Sequence, residues 1–272
     1  MNFITLNDGV LVPQLGLGVY KALEGGEVEN AVSCALACGY RHIDTAAYYQ
    51  NERGVGKAIK ASALLRSELF ITTKVWTDEI RSRSCRASFM DSLEKLDCGY
   101  IDLFLVHWPV EGYEDSWLEL IKLKNEGLVR SIGVSNFQPH HLKRLSEISD
   151  VVPSVNQIES YPYFHNSEVV DYCHAHKIAV TAWRPLGKLG GGILEDPVLK
   201  DLARAHGKSI AQIILRWHLQ RGMIVIPKSV HKERIEENIN VFDFELSSEE
   251  MRRLALLDKR LRLGADPDNV PF

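Results

Sequence analysis

The chain has 272 residues, 45% hydrophobic and 25% charged, which is the composition of a folded protein with a large core and not of a disordered, fibrous or membrane-embedded one. Thirty-two Lys and Arg against thirty-six Asp and Glu leave a net charge of −4, too little field to hold a polyanion, so nucleic acid is not an expected partner. Five scattered cysteines (Cys34, Cys38, Cys85, Cys98, Cys173) include no CxxC pair and read as reduced thiols. The start, MNFITLNDGVLVPQLGLG, has no basic-then-apolar leader, and no apolar run approaches the ~18 residues of a membrane span. A cytoplasmic address without a membrane partner is expected.

In chain order, FITLNDGVLVP predicts a β-hairpin around Asn7-Asp8-Gly9. Eight short apolar, β-branched runs then read as strands: QLGLG, YRHID, LFITTK, IDLFLVH, VRSIGVSN, PSVNQ, IAVTAW and MIVIPKS. Helix-like stretches lie between them, among them GEVENAVSCALACG, ERGVGKAIKASALL, SCRASFMDSLEKLD, SWLELIKLKNEG, QPHHLKRLSEIS and SEVVDYCHAHK, many closed by Gly or a charged turn. The interval between IAVTAW and MIVIPKS has room for two helices. With no linker or low-complexity stretch, a single domain over residues 1–272 is expected. About 34 residues per unit favour a (β/α)8 TIM barrel with the hairpin closing its bottom. A doubly wound sheet is the rival, but its GxGxxG fingerprint has only the near match Gly16-Leu-Gly18, with Lys21 where the third glycine should stand.

In such a barrel, catalytic groups gather at the C-terminal ends of the strands. Those ends are polar here: Asp44, Lys74, His107, Ser135 with Asn136, Asn156 with Gln157, Trp183, and Lys228 with Ser229. A lysine ending a buried strand is costly unless an anion holds it, and Asp44 is one strand away. The pair could also be a stabilising ion pair and nothing more, and His107 a satisfied core histidine. Tyr49, five residues past Asp44 in DTAAYYQNE, starts from the same face. A nearby ammonium is expected to lower the phenol's pKa from ~10 and make it a usable proton donor.

Weaker signals are set aside. Cys173, His174 and His176 point to different faces of a helix and match no common zinc spacing, so no metal is expected. Gly54-Val-Gly56-Lys57 reads as a helix with small residues and not as a phosphate loop, and His140-His141 as an exposed helix start. The glycine-rich KLGGG, Lys188 to Gly192, is either a flexible clasp or merely flexible.

The ordered motifs GYRHIDTAAYYQNE, FITTKVW, YIDLFLVHWP, IGVSNF, VNQIE and IPKSVHKERIEEN resemble those of the aldo-keto reductase family over nearly the whole chain. The bacterial branch of 2,5-diketo-D-gluconate reductases, which also reduce methylglyoxal, is the most similar. The resemblance implies an NADPH-binding (β/α)8 barrel, a monomer, and a catalytic tetrad of Tyr49, Asp44, Lys74 and His107. Tyr49 would be the general acid, Lys74 would lower its pKa, Asp44 would keep Lys74 charged and oriented, and His107 would position the substrate oxygen. Cofactor contacts are implied for Gly18, Asp44, Ser135, Asn136, Gln157, Trp183, Arg184, Leu186, Lys228, Ser229, Arg234, Glu237 and Asn238. Ser135, Asn136 and Gln157 would hold the carboxamide, Trp183 would stack on the nicotinamide, and Lys228 with Arg234 suit the 2′-phosphate of NADPH better than the bare ribose of NADH.

Aromatics near strand ends, Tyr20, Trp76, Trp108 and Phe137, together with His107, are expected to wall a substrate site, although such residues equally serve barrel packing. Two positions depart from the family: Arg184 replaces its usual Ser or Gly, and Ser160-Tyr161 replaces its Leu-His. The expected function is NADPH-dependent reduction of small aldehydes, ketones or keto-sugars. The alternatives are an NADP-dependent alcohol dehydrogenase working oxidatively, and an NADPH-binding regulatory barrel, which the intact tetrad argues against.

Overall fold

Successive side chains of a strand face opposite sides, and that alternation sorts this chain into an inside and an outside. The computed structural model of the chain describes residues 2–188 and 192–272. Strands β1 (Phe3–Thr5) and β2 (Leu11–Pro13) pair as the antiparallel hairpin. The barrel strands are β3 (Leu17–Gly18), β4 (His42–Asp44), β5 (Phe70–Val75), β6 (Ile101–Val106), β7 (Val129–Ser135), β8 (Val155–Glu159), β9 (Ala179–Trp183) and β10 (Ile224–Val225). Each is parallel to the next in sequence. The bridges Leu15↔Val225 and Gly18↔Lys228 join the two ends of the sheet, closing the ring expected from the sequence.

Helices α1 (Gly26–Ala37), α2 (Glu52–Ala61), α3 (Thr77–Arg81), α4 (Cys85–Leu96), α5 (Tyr113–Asn125), α6 (Pro139–Ile148) and α7 (Ser167–Ala175) fill the crossovers up to β9. The expected helix pair, α8 (Pro197–His206) and α9 (Ile210–Gln220), separates β9 from β10. Helices α10 (Lys232–Ile239) and α11 (Ser248–Ala255) follow β10. The small residues of α2 have a packing cause. A Cβ on Gly54 would lie 2.4 Å from Val28 Cγ1 of α1, and one on Gly56 2.3 Å from the Leu96 carbonyl oxygen of α4. Only glycine lets the three helices approach so closely.

Outward positions Ile43, Ile71, Val75, Phe104 and Val106 join the main core between sheet and helices. Inward positions Phe70, Leu103, Leu105, Val155 and Ile224 form a separate cluster with Leu6 and Val12 of the hairpin. The hairpin is therefore the plug of the barrel's bottom. Asp8 at its turn accepts bonds from Ser131 Oγ (2.7 Å), Ser154 Oγ (2.9 Å) and Lys124 Nζ (2.5 Å), and Asn7 donates to the Pro153 carbonyl. Among the described residues all five cysteines are free thiols, and no helix is long and apolar enough to cross a membrane.

His42 stands inside the barrel between the plug and the polar residues above. Its Nε2 lies 3.0 Å from Thr72 Oγ1, its Nδ1 is buried without a partner, and a Cβ on Gly16 would lie 2.7 Å from its ring. Burial pushes its pKa down from 6.5 to about 4, against the pull of Asp44. An unfolded chain takes up a proton below pH 6.5 that the folded His42 refuses until about pH 4. Stability from this group is therefore complete above 6.5 and falls as the pH drops through that window, by up to roughly 3 kcal/mol. Urea midpoints measured from neutral pH down to pH 4.5 should fall less steeply in His42→Gln than in wild type; parallel slopes would contradict the assignment.

Candidate active site

The inward register of three neighbouring strands sets the polar floor of the barrel mouth. Phe70, Thr72 and Lys74 share one side of β5, and His42 and Asp44 share one side of β4. His107 follows Leu103 and Leu105 at the end of β6. Asp44 pairs across the ladder with Thr72, and Lys74 with Leu105, so the sheet stagger lifts each successive polar residue above an apolar one.

Lys74 is fully buried and donates to Asp44 Oδ1 (2.6 Å) and to the Thr45 carbonyl (2.7 Å). Burial pulls its pKa down, and Asp44 opposes that pull. The second oxygen of Asp44 accepts from Gln157 Nε2 (2.7 Å). Half-buried Tyr49 presents its ring 5.0 Å from Lys74 Nζ and packs edge-on to His107, 5.9 Å between centroids. His107 is neutral, because burial and the Lys74 charge push its pKa well below 6.5.

Tyr49 corrects an expectation. Its phenol is pushed well above its ordinary value by burial first and then by the Asp44 charge. The ammonium does not set the direction, because Lys74 is already paired with Asp44.

Two residues that the sequence reading passed over lock this loop. Asn51 accepts from Thr45 Oγ1 (2.7 Å) and donates to the Val19 and Ala22 carbonyls. Buried Glu52 accepts from Thr73 Oγ1 (2.6 Å) and Ser92 Oγ (3.2 Å). A buried amide and carboxylate, two and three residues past Tyr49, are thus the fasteners of the short turn that carries it. Their only signal in the sequence is two polar residues at the start of a helix that packs face-down.

Above the floor opens a cleft of about 510 Å³. Of the expected residues, Gly18, Tyr20, Asp44, Tyr49, Trp76, His107, Trp108, Ser135, Asn136, Gln157, Trp183, Arg184, Leu186 and Lys228 line it. The strand-end amides bond one another: Ser135 Oγ donates to the Gln157 carbonyl (2.8 Å), Asn136 Nδ2 to the His107 carbonyl (3.0 Å), and Trp183 Nε1 to Asn136 Oδ1 (2.8 Å). Arg184 sits at φ +51°, a left-handed conformation that glycine adopts without cost, and its guanidinium lies 5.5 Å from the Trp183 ring centre. Tyr161 packs under Gly187 and donates to the Leu261 carbonyl (2.6 Å), so the Ser160-Tyr161 departure changes packing beside the cleft.

Several expected residues lie elsewhere. Ser229 is buried in its own turn, donating to the His231 carbonyl. Arg234 is exposed on α10, and Asn238 is buried on the same helix. Glu237 accepts from Ser209 Oγ at the start of α9. None of these four lines the cleft. Phe137 is fully buried, edge-on to Tyr113 and His141, and walls nothing. His140 is exposed as expected, but His141 is largely covered. The clasp assigned to Lys188–Gly192 falls on residues 189–191, outside the described residues.

The cleft also has a wall that the sequence reading did not anticipate, in Gly264, Ala265 and Phe272. Phe272 stacks on Trp76 (5.1 Å), which stacks on Tyr48 (3.8 Å), and meets Trp108 edge-on. Arg81 donates to the Phe272 carbonyl (2.7 Å). Buried Glu159, at the end of β8, accepts from the backbone N–H of Leu263 (2.9 Å) and Gly264 (2.8 Å). The Glu159 carboxylate thus ties the start of the segment to the barrel, and Arg81 and the aromatic stack hold its end.

Residues 14–259 match the aldo/keto reductase family. The chain is 49% identical over 268 residues to the methylglyoxal reductase DkgA of Escherichia coli, covering 97% of this chain and 96% of that one. It is 48% identical over 270 residues to a 9,11-endoperoxide prostaglandin H2 reductase of Trypanosoma cruzi, covering 98% and 95%. It superposes with a TM-score of 0.91 on a Bombyx mori aldo-keto reductase solved in complex with NADP, at 37% identity, covering 98% and 96%.

Replacing Glu159 by Gln puts an amide donor against a backbone donor at one end of the tether. The expected cost is about 1–3 kcal/mol, since a buried donor loses its acceptor. Urea unfolding should show the free energy of unfolding lowered by that amount, with the midpoint moved down accordingly, and an unchanged midpoint would mean that the segment is held by something other than Glu159.

Proposed function

The chain belongs to the aldo/keto reductase family of oxidoreductases, and on that premise we propose that its cleft reduces small aldehydes, ketones or keto-sugars, of the methylglyoxal or 2,5-diketo-D-gluconate kind, with NADPH. We propose further that the whole chain acts as one barrel domain. The observation that carries the reading is the buried Lys74–Asp44 pair directly under Tyr49 and His107 on the floor of a single cleft.

The donor set suits a nicotinamide cofactor. Ser135, Asn136 and Gln157 offer amide and hydroxyl groups at neighbouring strand ends, Trp183 offers an aromatic face, and Lys228 offers a cation at the cleft's edge. When bound, the reduced nicotinamide supplies hydride to the carbonyl carbon. His107, neutral, keeps one N–H to donate to the carbonyl oxygen and orient it. Tyr49 retains its proton until that oxygen becomes an alkoxide, a far stronger base than a phenolate, and then gives it up. The phenolate left behind faces the Lys74 ammonium, which Asp44 and Thr45 hold in place. Trp76, Trp108, Tyr20 and Phe272 keep the walls apolar, leaving the polar groups of substrate to the floor.

Tyr49→Phe should lower kcat for methylglyoxal by about 10²- to 10⁴-fold while leaving cofactor binding intact. The measurement is NADPH oxidation across a panel with 2,5-diketo-D-gluconate and aromatic aldehydes. Equal rates for variant and wild type would remove Tyr49 from the chemistry. Lys228→Ala should weaken NADPH by about 10- to 100-fold, the worth of one charge-assisted bond to phosphate, and leave NADH unchanged. Fluorescence titration with each nucleotide reads this directly, and equal loss for both would place Lys228 away from the 2′-phosphate.

A further inference from the structure

Away from the cleft, the described residues hold one group of metal-capable side chains close together: His140, His141 and Asp268. We propose that these three form a transition-metal site of the zinc class, which ties the start of α6 to the segment 264–272. Nothing in carbonyl reduction requires it, and it stands independently of that reading.

The donor atoms have the spacing of a half-built coordination shell, and exposed His140, whose ring centre is 4.0 Å from that of His141, has to swing outward for both lone pairs to meet at one ion. His140 Nε2 and His141 Nε2 are 3.1 Å apart, His140 Nε2 is 3.2 Å from Asp268 Oδ1, and His141 Nε2 is 3.6 Å from the same oxygen. Nitrogen and oxygen ligands at about 2.0–2.1 Å from a tetrahedral Zn²⁺ stand roughly 3.3 Å from one another. The three atoms form a triangle of that size, with its outer face open to water for the remaining positions. Two imidazoles and a carboxylate are also the donor set that zinc and its borderline neighbours favour.

The Gln138 backbone N–H donates to His141 Nδ1 (3.2 Å), so a neutral His141 carries its hydrogen on Nε2. Ligation through His141 Nε2 moves that hydrogen to Nδ1 and opens the bond from Gln138, a cost that binding of the ion has to exceed.

His141 and the turn that carries Asp268 are held in place, while the His140 side chain is exposed. Pro139 opens α6, and the His141 ring lies edge-on to Tyr113 and Phe137. On the other side, Asp266 accepts from the Asp268 N–H (3.1 Å) and from Asn269 Nδ2 (3.3 Å), fixing the turn that presents Asp268. Asp268 lies between the Glu159 tether at Gly264 and Phe272 at the cleft, so a bound ion would add a third anchor to the segment that walls the substrate site.

The test is a titration of the full-length, chelator-stripped protein with Zn²⁺ in competition with a chromophoric chelator, repeated with Co²⁺ to read its visible absorption. One equivalent should bind. His140→Ala and Asp268→Asn should each weaken it by more than the roughly tenfold that loss of even a supporting group costs a metal site. His174→Ala, at an exposed histidine on α7, should change nothing. The inference is overturned if wild type shows no stoichiometric binding, if His140→Ala binds like wild type, or if Asp268→Asn does, since the last would leave the histidines unconnected to the segment. None of these readouts depends on turnover.

Discussion

Everything at the mouth of this barrel rests on one ammonium taken out of water. Desolvating a lysine and its counter-ion costs several kcal/mol each, and the cost is tolerable only when remaining lone pairs and hydrogens find partners. Lys74 and Asp44 meet that condition through Thr45 on one side and Gln157 on the other. The network then continues: the Gln157 carbonyl takes the Ser135 hydroxyl, Ser135 Oγ takes an Asn136 N–H, and Asn136 Oδ1 takes the Trp183 indole. A continuous polar chain thus runs from β4 and β5 across the mouth to β9, lying on the apolar interior that the hairpin seals from below. To disturb the ion pair is to disturb the groups that face both halves of the cleft.

The electrostatics on that floor are more consistent than the sequence alone allowed. Proximity to a lysine argued for an acidified tyrosine, but proximity says nothing about whether a charge is already spent. Here the Lys74 charge is answered by Asp44, and burial sets the outcome for the groups around it: the Tyr49 phenol keeps its proton and the His107 imidazole stays neutral. The floor therefore offers two hydrogen-bond donors and no free charge, a setting that is stable until negative charge develops on a bound oxygen.

Where the reading from sequence succeeded, it relied on periodicity. The alternation in β5 and β6 puts Lys74 and His107 on the same inward column as Phe70 and Leu105, so a strand's last polar residue could be named without coordinates. Where it fell short, the cause was contact between segments distant in the chain. Asn51 and Glu52 act through Val19, Ala22, Thr73 and Ser92, none of which any local pattern links to them. Phe137 reads as a mouth aromatic, but its ring turns outward between β7 and α6. Arg184 stands in a backbone conformation that no residue-type rule would assign to it. The segment 264–272 has no periodic signal, because a single carboxylate and an aromatic stack position it instead of a helix or a ladder.

That last arrangement separates two kinds of inheritance. Asp44, Lys74 and His107 are placed by barrel register, and Tyr49 by the short turn that Asn51 and Glu52 fasten. Phe272 and its neighbours hang from Glu159 and Arg81, outside the ladder. A substitution in this stretch would reshape one wall of the cleft while leaving the Lys74–Asp44 pair beneath it in place.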